Sequence, residues 1–321
     1  MPVKCAVTGI ETHQDHKTWA VLILSFGIAM TGLQDTFMKY LSGAYPFHQL
    51  QFIRSAMAVA LVAIAVALTG GLAGFDWRGM RPLLARGVIL GVGSAFFYVS
   101  LAAMTLADAT AIYFALPLIV AALSGLMISE KVRAWRWIAA LTGFIGVLVT
   151  IRPGSSLFEP AAILTLIATC LYAVGNLFTR RIGPSVPPLI IALFGGISFM
   201  CVALVLALIF GTGRFHSEAH PSLAFLTRAW VMPSLRDWGL LAGFGIATAT
   251  GFFSYAEAYR KATASFIAPF EYSAMIWAVL FGWWIFGDVP VRTTLIGSAV
   301  IIGSGLFLAL WEYRQHRRGE T

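Results

Sequence analysis

Four ionisable residues interrupt long apolar runs of this chain: Asp35, Arg54, Glu257 and Glu271. A charge at the centre of a membrane helix costs roughly 2.5–3.5 kcal/mol on insertion scales, so each such residue needs a partner or a task. Asp35 stands near the end of the first run and Arg54 about two turns into the second, close enough across a helical hairpin to pair. The other task open to Arg54 is to receive a substrate carboxylate. Glu271 lies about two turns into the ninth run, deeper than so short a side chain can snorkel from. It is the candidate for a carboxylate that binds a proton or an amine; an unwound backbone near Pro269 is its structural alternative. Glu257 precedes Arg260 and Lys261 by one helical turn, the spacing of an ordinary ion pair.

Uncharged residues extend this chemistry. Pro117 and Pro269 each remove a backbone hydrogen bond within a run and can leave a carbonyl facing a cavity. Around them stand Tyr113, Phe114, Phe270, Tyr272 and Trp277, flat apolar walls with polar tips that suit an organic solute or, equally, pack a helix bundle. Cys5, Cys170 and Cys201 show no metal or redox spacing and read as packing residues. No phosphate-binding loop, zinc-protease motif or nucleophile elbow occurs, and the residues suggest neither a cofactor nor a metal.

The elements that must position these groups are membrane helices. Hydrophobic residues make up 59% of the 321 and charged residues 11%, with a mean hydropathy of +0.83. A soluble domain carries about a quarter charged residues. Ten apolar runs are long enough for a hydrocarbon core of about 30 Å: 18–38, 46–69, 83–104, 107–128, 135–151, 158–179, 187–210, 238–259, 263–286 and 293–311. The fold class predicted is an all-α membrane protein. The polar 1–17 segment begins the first run too late for a signal peptide, so that helix is expected to remain as an anchor. The 217–237 stretch, with aromatic and proline residues among arginines, is expected to lie on the outer leaflet.

Fifteen of the 22 Lys and Arg residues fall in one set of alternate loops and tails and six in the other. That asymmetry puts both termini in the cytoplasm. It also accounts for the net charge of +8 without nucleic-acid binding, because the cations are scattered over short loops.

The chain repeats itself. Phe37 and Lys39 match Phe178 and Arg180 at an offset of 141, which also sets Asn176 opposite Asp35. Gly87, Gly91 and Gly93 match Gly239, Gly243 and Gly245 at 152, and the turn at Glu130 matches that at Asp288 at 158. Five runs per half is an odd number, so the halves should face opposite leaflets, a recurring design of alternating-access transporters.

Particular motifs sharpen this. They are Ala107-Asp108-Ala109-Thr110-Ala111 leading to Pro117, the Glu130-Lys131 turn, and Gly143 to Val147 running to Arg152-Pro153-Gly154. In the second half, Ala268-Pro269-Phe270-Glu271-Tyr272 continues through Trp277 and Gly282 to Phe286-Gly287-Asp288-Val289-Pro290. With these the chain resembles the EamA-type family of the drug/metabolite transporter superfamily. The resemblance implies ten helices in two inverted five-helix repeats, over 18–152 and 158–311, with cytoplasmic tails 1–17 and 312–321. It implies a bacterial-type inner membrane and gradient-driven transport of an amino acid, amine or carboxylate-type solute. A larger aromatic metabolite such as a flavin, a non-transporting scaffold and a membrane enzyme are the alternatives. The site expected comprises Asp35, Arg54, Tyr113, Asn176, Tyr272 and Trp277 for the solute, with Glu271 for proton coupling. The expected partners are a small-molecule solute and the lipid bilayer, with a homodimer as a further option and no nucleic acid.

Overall fold

Lipid offers a peptide group no hydrogen-bond partner, so a chain crossing it must close its backbone bonds within each segment. The computed structural model describes residues 8–69, 80–127, 134–153, 159–182, 186–261 and 270–317, and among these no strand occurs. The helices are α1 (Thr8–Leu41), α2 (Phe47–Thr69), α3 (Met80–Leu101), α4 (Leu106–Tyr113), α5 (Leu116–Met127), α6 (Ala134–Ile151) and α7 (Ala161–Ile182). They continue with α8 (Pro188–Phe210), α9 (Pro221–Thr227), α10 (Leu235–Lys261), α11 (Ala274–Phe281) and α12 (Arg292–Arg317). Six helical stretches among the described residues are long and apolar enough to cross a membrane, and Trp137–Ile151, Ala274–Phe286 and Arg292–Leu308 are apolar but shorter. Leu68, Leu208 and Ile276 point outward, at least two-thirds exposed, where lipid replaces water as their surroundings.

Two of the predicted runs are not single helices. The fourth divides into α4 and α5 at Phe114 and Ala115, and Pro117, in the first turn of α5, has no N–H to return to the Tyr113 carbonyl. Thr105 caps α4 by accepting the Asp108 N–H at 3.0 Å. The ninth run ends in a π-helical turn, Gly282–Phe286. There Gly287, at φ +70°, turns the chain in the left-handed conformation glycine adopts freely and delivers Asp288 to the bundle end. Pro269 lies outside the described residues.

Each half packs on the other in a pattern that exchange of the halves leaves unchanged. α1 rests chiefly on α10, and its repeat counterpart α7 rests on α3; α2 meets α8, and α6 meets α12. The contacts Arg86 to Thr179 and Ser100 to Thr165 make α3 and α7 antiparallel. Gln34 to Tyr98 and Lys39 to the Met104 carbonyl make α1 and α3 parallel. The first helix of one half therefore runs opposite to the first helix of the other.

Close contacts correct the glycine register. A Cβ at Gly93 would lie 3.5 Å from the Ala168 carbonyl and 3.7 Å from the Tyr172 ring, and one at Gly251 would lie 3.6 Å from the Gly27 carbonyl and 3.0 Å from the Thr31 methyl. Ala168 and Tyr172 stand 141 residues beyond Gly27 and Thr31, and Gly251 stands 158 beyond Gly93. Gly87 and Gly245 repeat the relation, crowding Ser198 and Met57, again 141 apart. The spacing of 152 matched glycines by composition. Packing pairs them at 158, the offset of the acidic turns, because what a small residue conserves is the backbone approach it permits.

The 217–237 stretch is fastened to the bundle at two points. Phe225 of α9 is buried edge-on against Phe47, with ring centroids 5.9 Å apart. Gln49 holds the Val231 backbone at both ends, donating to its carbonyl at 2.6 Å and accepting from its N–H at 3.0 Å. A buried amide that satisfies a loop's backbone pulls the loop inward, and the sequence carries no sign of that partner.

Candidate functional site

Inside the bundle, α1 and α2 bring three polar side chains to one hydroxyl of α3. Tyr98 Oη donates to Asp35 Oδ1 at 3.0 Å and accepts from Arg54 Nη1 at 3.0 Å and from Gln34 Nε2 at 2.6 Å. Arg54 Nη2 donates to Gln51 Oε1 at 2.7 Å, one helical turn back on α2. Two aromatic rings lie within cation–π range of the guanidinium, with centroids 5.1 Å away at Tyr98 and 5.6 Å at Phe244. Asp35 and Arg54 are thus brought together, but through Tyr98, and among the described residues no direct ion pair joins them. Arg54 is 4% exposed while Asp35 is half-buried.

The helix register explains this gathering. Gln34 and Asp35 turn to α3 because α1 and α3 run side by side. Gln51 and Arg54 are three residues apart, so both point the same way from α2. Tyr98, Gln34 and Gln51 were absent from the residues picked out in the sequence. Their signal was present: each is a hydrogen-bonding side chain within an apolar run beside an ionisable residue or its partner, and hydrocarbon leaves such a group no partner but protein.

The aromatic wall adjoins the hub. Phe97 meets Tyr98 edge-on at 5.3 Å and Tyr113 at 5.9 Å, and Tyr113 meets Tyr172 at 5.8 Å. Asn176 lies one turn beyond Tyr172 on α7 and is exposed. Glu271 is half-buried, within electrostatic reach of Tyr113, Tyr255 and Tyr272. Tyr272 instead packs against Phe114 at 5.1 Å with its hydroxyl over Gly305, and Trp277 covers Gly32 of α1. Glu257 lies in an apolar cleft of about 530 Å³ between α1 and α10, lined by Trp19, Phe26 and Phe253, all more than half exposed. That cleft opens on the outside of the bundle, away from the hub.

Where α1 ends, polar contacts join the halves. Lys39 Nζ donates to Asp288 Oδ2 at 2.8 Å and to the Met104 carbonyl at 2.8 Å, and lies 4.8 Å from the Phe286 centroid. Asp108 accepts from the Thr294 hydroxyl, and Tyr45 donates to Asp237 at 2.6 Å. The Ser234 and Tyr45 hydroxyls hold the Asp237 carboxyl below the usual carboxylate range.

Known proteins share this build. A family model of the EamA-like transporter family matches residues 18–152 and again 159–310. The chain belongs to the EamA-like transporter family. It is a multi-pass membrane transporter of a small-molecule metabolite, not an enzyme. Among relatives, a riboflavin transporter of Vibrio cholerae is 30% identical over 245 residues, 76% of this chain and 74% of its own. An S-adenosylmethionine uptake transporter of Rickettsia conorii is 23% identical over 311 residues, 96% of this chain and 97% of its own. The pseudopaline exporter CntI of Pseudomonas aeruginosa is 23% identical over 273 residues, 84% and 88%. A crystal structure 18% identical in sequence covers 95% of this EamA-like chain and 98% of its own, with a TM-score of 0.56, and shows the fold alone.

Proposed function

We propose that this EamA-like protein is a gradient-driven secondary transporter that moves a small organic solute by alternating access. It would cross a bacterial-type inner membrane as ten helices in two inverted five-helix repeats, with both terminal tails in the cytoplasm. The observation that carries the reading is the Asp35, Arg54 and Tyr98 hub. A charged group held among apolar helices is costly to keep, and a scaffold has no need of one. Amino acids, amines and carboxylate-type solutes carry the charged and hydrogen-bonding groups that a hub of this polarity can meet. A flavin-like ring compound is the second reading, favoured by the Phe97, Tyr113 and Tyr172 wall and by the riboflavin transporter among the relatives. Because relatives are named both for uptake and for export, either direction is compatible.

In this reading Lys39 and Asp288 close one end of the solute path, and the halves must part there for the path to open. Glu271 carries the coupling proton. The test is flux in proteoliposomes with a metabolite panel, with and without a pH gradient. Paired cysteines at positions 39 and 288, oxidised, should arrest flux, and reduction should restore it. Full flux in the crosslinked protein would exclude movement at that end, and proton-coupled flux unaltered by Glu271→Gln would remove Glu271 from coupling.

A further inference from the structure

An inventory of donors and acceptors at the hub shows what kind of group it lacks. Arg54 has its Nη1 on Tyr98 and its Nη2 on Gln51, and at 4% exposure it has little surface to offer a ligand. Tyr98 accepts two hydrogen bonds and donates one, the full capacity of a phenol. Gln34 uses its amide nitrogen on Tyr98, while its Oε1, in a residue 6% exposed, has no partner. Asp35 accepts through Oδ1, and its other oxygen has no hydrogen bond among the described residues. Two acceptors are left over on adjacent residues, one of them a carboxylate oxygen. A buried acceptor without a donor costs about 1–3 kcal/mol, which a bound donor recovers.

We infer that Asp35 and Gln34 receive a protonated nitrogen of the solute, an ammonium or related N–H cation, and that Arg54 positions Tyr98 instead of binding a carboxylate. This inference rests on the transport reading and selects among the solute classes left open there. The surroundings agree in sign. Tyr113, Tyr172 and Tyr255 lie within electrostatic reach of Asp35, and their ring faces favour cations. A carboxylate entering here would meet the like charge of Asp35, and Arg54 has already spent one N–H of each terminal nitrogen on Tyr98 and Gln51.

The test uses the full-length purified protein in lipid nanodiscs with three probes of similar size: 2-phenylethylammonium, its neutral N-acetyl derivative and 3-phenylpropionate. Ligands that bind the folded state raise its unfolding midpoint. The ammonium probe should raise it and the other two should not. Asp35→Asn should weaken the ammonium effect about ten- to a hundredfold, as expected for a hydrogen bond to a charged group, and Gln34→Leu should weaken it less. Arg54→Lys should lower affinity while leaving the preference for ammonium over carboxylate intact, which a carboxylate receptor would not do. Where Asp35→Asn does not yield folded protein, Asp35→Glu keeps the charge and should keep the preference. Stabilisation by 3-phenylpropionate that Arg54→Lys alone abolishes would overturn the inference, as would an ammonium response equal in wild type and Asp35→Asn, or none in wild type. The two readings fail differently. Ammonium binding without flux of any solute sinks transport and spares this site, whereas flux that ignores Asp35→Asn sinks this site and spares transport.

Discussion

Laid over each other by their offsets, the two halves of the molecule agree in packing and disagree in chemistry. Gly93 on α3 and Gly251 on α10 admit the same neighbouring carbonyl, that of Ala168 or of Gly27. The hub does not repeat. Where the first half has Gln34, Asp35, Arg54 and Tyr98, the second has Gly175, Asn176, Gly195 and Ala256. The repeat keeps the contacts that hold helices at fixed spacing, and the charged cluster has no equivalent at the corresponding positions of the second half. Small residues at helix crossings have few substitutes, because close approach in lipid depends on the missing side chain. A polar side chain away from a helix crossing meets no such demand from the fold.

The sharpest way to break this comparison is to alter both members of one related pair. Asp35→Asn should lower initial flux in proteoliposomes more than tenfold, whereas Asn176→Asp, on the exposed counterpart, should change it less than about threefold, since hydrogen bonds to charged groups are worth roughly 1.5–3 kcal/mol where they are made. Equal losses would mean that both halves contribute alike to the site. Tyr98→Phe removes the hydroxyl that three side chains share. Thermal unfolding in nanodiscs should report a loss of about 1–3 kcal/mol from the orphaned groups, together with reduced flux. For packing, the expectation reverses to symmetry: Gly93→Leu and Gly251→Leu should each destabilise by about 1–3 kcal/mol, within about 1 kcal/mol of each other. A large difference between them would reject the 158-residue register. The smallest effect belongs to Lys39→Ala. An ion pair with side chains 14% and 29% exposed contributes about 0–1 kcal/mol, so unfolding should barely shift while the accessibility of that end to thiol reagents, read from a cysteine at position 42, should rise.

Much of this was legible in the chain itself. The all-helical membrane character, the duplication and the ionisable residues within apolar runs could be read directly, because hydrocarbon imposes its demands on every segment separately. Asp35, Arg54 and Tyr113 do gather around one region. Tyr272 and Trp277 looked equivalent to Tyr113 in sequence, yet they pack on Gly305 and Gly32. An aromatic in a helix carries no mark of which neighbour it will face.

By itself the sequence determined that this is a helical membrane protein made of two related halves with charges buried in its spans, since hydropathy, length and repetition act locally along the chain. Only the tertiary structure decided that Tyr98 stands between Asp35 and Arg54, that Gln34 keeps an acceptor without a partner, and that the glycines align at 158. Those facts depend on which faces of separate helices meet, and the crossing of helices is fixed by backbone approach across the bundle.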